Sequence, residues 1–122
     1  MTRETFQDAA LTLELSEEAA AVRVAWSGRS MARTPGKFIL PVILKAIELS
    51  RASQKRLELD FQQIDYMNSS TITPIIRVLE QAGRGADPVR ILYNKGRRWQ
   101  ELSFSALAVF QTADGRIEIL GV

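Results

Sequence analysis

Leu11, Leu13 and Leu15 alternate with polar residues, and Val22, Val24 and Trp26 repeat the pattern. A period of two marks a strand with one buried face. The intervening "SEEAA" is short enough for a hairpin, so these two strands are expected to pair antiparallel. "SGRSMARTPGK" is rich in turn formers and reads as a loop. The period then changes. From about residue 37 to 52, Ile39, Val42, Ile43, Ala46 and Ile47 recur at helical spacing. Pro41 falls near the first turn, where a missing backbone N–H costs least. "RLELDF" returns to period two through Leu57, Leu59 and Phe61 and predicts a third strand. A second helix is predicted from roughly 69 to 83 on the stripe Ile72, Ile75, Ile76 and Leu79, ended by Gly83 or Gly85. "PVRILYN" predicts a fourth strand. "KGRRWQELSFSALAVF" predicts a short helix with Trp99 and Leu102 on one side, and "RIEIL" a last strand. The order β-β-α-β-α-β-α-β predicts an α/β fold, a mixed β-sheet of about five strands with helices packed against it. No repeat or linker divides residues 1–122, so one domain is expected.

Composition narrows the chemistry. At 122 residues, 46% hydrophobic and 25% charged, the chain has the size and character of one globular domain rather than a disordered one. It contains no cysteine, hence no disulfide or thiolate metal site. Histidine is absent too, which removes the commonest general base and zinc ligand. Ser-His-Asp and Cys-His catalysis are thereby excluded. Gly28 and Gly36 do not have the spacing of a phosphate-binding loop. No enzyme activity, cofactor or metal is expected. Asp60 and Asp65 are two carboxylates without further ligands, too few for a cation site. The net charge of +2 is not gathered into a basic stripe. "KGRR", Lys95 to Arg98, reads as a solvated turn and helix start, so no nucleic-acid partner is expected. The longest apolar run, "FILPVIL", is too short for a bilayer. The N-terminal stretch lacks a basic start followed by an apolar core. A cytoplasmic protein without a membrane partner is expected.

One stretch, "DYMNSSTITPIIRVLEQA", concentrates the candidate function. Asn68, Ser69, Ser70 and Thr71 lie directly ahead of the second helix's apolar stripe. Ser, Thr and Asn are preferred helix N-caps, so one reading is a cap and nothing more. The other is a hydroxyl held out at a helix N-terminus, where phosphorylation would add about −1.5 to −2 charge next to free N–H groups. Thr73-Pro74 is itself a good cap and first-position pair, which leaves open a regular helix beginning only at Thr73. Met67 fits either the rim of a binding surface or the core. Trp26 and Trp99 read as core anchors or interface aromatics.

The segment "LELDFQQIDYMNSSTITPIIRVLEQA" resembles the centre of STAS domains of the anti-sigma factor antagonist type, a bacterial signalling family. There, a buried strand leads through a short loop to an Asp-Ser-Ser or Asp-Ser-Thr tripeptide at a helix start. "GRRWQELSFSALAVF" is similar to that family's C-terminal helix, and the resemblance covers about residues 10 to 120. It implies a single STAS-like regulatory domain that takes part in partner switching. Its partner would be an anti-sigma factor with a serine kinase fold, which phosphorylates the hydroxyl residue after the Asp, and a phosphatase would remove the phosphate. By position that residue is Ser69, with Ser70 and Thr71 as alternatives, and Asn68 stands where the family has Asp. Thr71 and Thr73 stand where small glycines are common. The resemblance further implies a partner surface over Met67, Asn68, Ser69, Ser70, Thr71 and Ile72. "SMARTPGKFILPVILKAI" and "MNSST" look closer to a STAS-like phosphoprotein branch that controls a diguanylate cyclase. A homodimer is compatible with this reading. The competing expectation is a constitutive interaction or scaffold domain whose hydroxyl cluster only caps a helix.

Overall fold

The computed structural model describes residues 3–122. Six strands form one sheet whose order follows the chain: β1 (Arg3–Asp8), β2 (Leu11–Glu17), β3 (Ala21–Ser30), β4 (Arg56–Met67), β5 (Val89–Tyr93) and β6 (Ile117–Gly121). β1, β2 and β3 pair antiparallel, whereas β3 to β6 run parallel. The α/β class, the mixed sheet and the expected hairpin are all present. Helices α1 (Gly36–Ser53), α2 (Ser69–Arg84) and α3 (Arg98–Ser105) each join neighbouring parallel strands, and a 3-10 turn follows α3 over Ala106–Phe110. Right-handed crossovers that always advance in one direction place all three helices on the same face of the sheet.

That face holds the core. Leu13, Leu15, Val24, Trp26, Leu59, Phe61 and Ile91 point into it, meeting Ile39 and Ile43 of α1 and Ile75 and Leu79 of α2. An aromatic chain crosses it from Trp26 to Phe61 (4.5 Å between ring centroids), on to Phe104 (4.7 Å), and from there to Tyr93. Among the described residues, the buried Trp26 N–H has no acceptor.

The opposite face carries charge. Arg23, Glu58, Arg90 and Glu118 stand in register across β3 to β6. Glu58 lies 3.7 Å from Arg23 and 3.8 Å from Arg90, and Arg90 reaches Glu118 at 2.9 Å. Alternating signs keep the row mutually attractive and this face polar, so no helix is needed to cover it.

Glu118 of this row, with Asp87 and Tyr93 elsewhere, sets a pH profile. The hydrogen bond from Arg90 holds the Glu118 carboxyl below its usual range, and the bond from Arg51 does the same for Asp87. Burial, then Glu101, pushes the Tyr93 phenol up. Lowered carboxyl values give stability that is complete above the unfolded pKa and lost as pH falls through the folded one. The raised phenol acts the other way, favouring the fold until pH rises past the unfolded value of about 10. With no histidine in between, urea midpoints are expected to be flat from about pH 5 to 9 and to fall on either side.

Four departures from the sequence reading have physical causes. β1 has no alternating apolar pattern to predict it, because Phe6 is the one large apolar side chain in "RETFQD". It is an edge strand built by backbone pairing, with Lys45 stacked over the Phe6 ring at 5.7 Å. β4 runs on past Phe61 to Met67. In α3 the buried residues are Gln100 and Phe104, while Leu102 is 64% exposed and Trp99 only half-buried. A buried glutamine broke the apolar period there. Pro41 lies in the second turn, so the Lys37 carbonyl loses its helical donor.

Gly28 is required by geometry. Its φ is +85°, and an added Cβ would collide with the Ala10 carbonyl, which accepts the Arg29 N–H at 2.9 Å. Gly28→Ala is expected to cost about 2 kcal/mol, read as a lower urea midpoint.

Candidate functional site

The site is built by the overhang of β4. β5 stops pairing with it at Asp60–Leu92, and β4 continues along β3 alone. Two register shifts give β4 extra residues, Asp60 to Gln63 opposite Ala25 to Ser27 and Ile64 to Tyr66 opposite Gly28 to Arg29. Such bulges leave carbonyls without ladder partners. Gln100 supplies them. Its Nε2 donates to the carbonyls of Phe61 (2.9 Å) and Ile64 (3.1 Å), while its Oε1 accepts the Asn94 N–H (2.8 Å). Arg97 adds bonds to the Ile64 carbonyl and to Asp65. The overhang is therefore fixed, and it carries the chain to Asn68, whose N–H donates to the Ser30 carbonyl at 3.0 Å.

Asn68 is the N-cap of α2. Its Oδ1 accepts the Thr71 N–H at 3.1 Å and the Thr71 hydroxyl at 2.7 Å. Its Nδ2 donates to the Ala32 carbonyl at 2.9 Å, which ties α2 to the loop ahead of α1. Since the Thr71 hydroxyl gives its proton to Asn68, Ser30 donates in the 2.6 Å bond between the two hydroxyls. The chain Ser30–Thr71–Asn68 closes on itself, and both Ser30 and Thr71 are buried.

This arrangement divides the hydroxyl cluster. Thr71, expected as an alternative modification site and as a contact residue, is fully buried with its oxygen doubly hydrogen-bonded, so it is not an accessible hydroxyl. Ser69 and Ser70, the first two helical residues, are exposed. Among the described residues, neither of their side chains has a hydrogen-bond partner. The helix starts at Ser69 rather than Thr73, so Pro74 sits in its second turn and leaves the Ser70 carbonyl without a helical donor. Met67 and Ile72 are half-buried, and Met67 packs on the core.

An asparagine at position 68 also has a reason. A carboxylate there would place oxygen against the Ala32 carbonyl. Asn68→Asp is expected to lower stability by about 1 kcal/mol at neutral pH, the lost bond outweighing the gain at the helix dipole. The deficit should shrink near pH 4, where a protonated acid can donate again.

The surroundings are both apolar and cationic. Arg29 stacks over the Tyr66 ring at 5.5 Å, beside Ser30 and Met67 in the register, and Tyr66 and Met31 are exposed. On the other side of the serines, Ser70 shares a cleft of about 310 Å³ with Arg33, Thr73 and Arg77. Arg33 and Arg77 are distant in the chain, and no sequence pattern pairs them with the serines.

The remaining candidates lie elsewhere. Asp60 is buried against Arg23 and the Gln62 N–H, while Asp65 meets Arg97. Among the described residues, no group of three or more acidic side chains could hold a metal ion. Nor, among those residues, is any helix long and apolar enough to cross a membrane. No family model and no curated protein matches the chain.

Proposed function

We propose that the chain is a non-catalytic regulatory module, switched by phosphorylation at Ser69 or Ser70, that binds a protein partner through the end of the molecule carrying these serines. One observation carries the reading. Capping is already done by Asn68, whose Oδ1 accepts the Thr71 N–H and hydroxyl, which leaves two exposed serines at the helix start without a hydrogen-bond partner among the described residues. A helix that needed only a cap would need neither of them. The N–H groups of the first turn and the helix dipole suit a phosphate there. Exposed Met31 and Tyr66 supply apolar contact area close by, and a dianion beside it must be desolvated when a partner closes over it.

The resemblance of the strand, polar cluster and helix to STAS domains of the anti-sigma factor antagonist type supports the same reading. On that analogy the partner is an anti-sigma factor with a serine kinase fold, or a diguanylate cyclase in the related branch, and a phosphatase resets the switch. The experiment isolates a partner with the unmodified chain and compares Ser69→Ala with Ser69→Asp. Ser69→Ala should bind like the native chain and Ser69→Asp more weakly, with unchanged melting temperatures. Equal binding by both, and by the matching pair Ser70→Ala and Ser70→Asp, would instead favour a constitutive scaffold.

A further inference from the structure

The cleft beside Ser70 does not end there. Leu40 and Arg77 line both it and a second cleft of about 320 Å³ between α1 and α2, floored by Ile43, Ile47 and Val78. Together they make one groove along two parallel helices. From Leu40 to Arg51 its α1 wall spans roughly 16 Å at 1.5 Å per residue, the length of three helical turns. Leu44, on its rim, is 58% exposed. The charged side chains that line it are all cationic, with Glu48 close to Arg51 at the far end. Arg33, Arg51 and Arg77 line it, and no carboxylate does except through Arg51, which pairs with Asp87 at the far end. Among the described residues, Arg33 and Arg77 have no ion-pair partner.

We infer that this groove docks an amphipathic helix of a partner protein, its apolar stripe on the leucine–isoleucine floor and its flanking acidic residues on Arg33 and Arg77. Helix-in-groove binding needs this combination of apolar floor and complementary rim. The floor has no aromatic side chain on which bases could stack, which disfavours single-stranded nucleic acid. The α3 helix of a second copy is a poor occupant, since with Leu102 exposed it carries a single carboxylate, Glu101, among its residues. The inference concerns the unmodified protein and would stand if neither serine were ever phosphorylated.

The test uses the full unmodified chain, labelled for NMR. One probe is a stapled helical peptide with leucines at three- and four-residue spacing flanked by glutamates. The other is its twin with lysines in place of the glutamates. The acidic peptide should bind saturably, with shifts confined to the groove, from Arg33 through α1 and along α2. The lysine twin should bind at least about tenfold more weakly, and Arg33→Glu with Arg77→Glu should reverse that preference. Both arginines are exposed, so the double variant should melt like the native chain. No saturable binding of the acidic peptide, equal binding of the two, or shifts on the open sheet face would overturn the inference. So would the same shifts appearing on raising protein concentration alone, because a second copy would then fill the groove.

Discussion

Phosphoserine at position 69, installed during translation, is expected to lower partner affinity by about a hundredfold. The size follows from what a phosphate brings. It carries about −1.5 to −2 charge and three acceptor oxygens, and closing an apolar interface over it removes hydration that the partner does not replace. A penalty of about 3 kcal/mol corresponds to the stated hundredfold. Ser69→Asp carries a single, shorter charge and should give roughly a tenfold loss. The fold should be indifferent, because the Ser69 side chain faces solvent at a helix N-terminus, where negative charge is welcome. Calorimetric titration of the same partner into both proteins reads the difference, and melting curves check that the fold is unchanged. Equal affinities with a phosphate verified in place would leave Ser69 without a switching role.

Gln100→Leu is expected to cost about 3 kcal/mol, the largest stability loss predicted for a single side chain here. Leucine fits the space but leaves the carbonyls of Phe61 and Ile64 and the N–H of Asn94 without partners in a buried place. Urea unfolding should show a lower midpoint with little change in slope. A second readout is local. Without its anchor the β4 overhang should loosen, so amide exchange at Gln62 to Met67 should quicken ahead of the core strands. A loss under about 1 kcal/mol, with exchange unchanged, would show that the overhang holds itself and that Gln100 is not what positions Ser69.

Much of the fold was legible because burial writes a period into the chain. Leu11, Leu13 and Leu15, like Val22, Val24 and Trp26, alternate because one sheet face meets helices and the other meets water. Where burial is not the cause, the pattern fell silent. β1 is held by backbone pairing at an edge. The β4 overhang is held by a side-chain amide from α3, and Gln100 in turn hid the period of α3. The hydroxyl cluster was visible as a cluster, yet its division was not. Which of Ser69, Ser70 and Thr71 faces water depends on Ser30, which lies on another strand and meets Thr71 only in the fold. The arginines of the groove were illegible for the same reason: Arg33 and Arg77 come together only when α1 and α2 lie side by side.

The proposed switch requires a regulatory charge on Ser69 or Ser70, both exposed at the start of α2. Site-resolved mass spectrometry of the protein purified from its own cells, grown under contrasting conditions, tests this most directly. The account predicts phosphate on Ser69 or Ser70, at an occupancy that changes with condition, and none on Thr71. Unmodified serines in every condition, or stoichiometric phosphate confined to other residues, would contradict it.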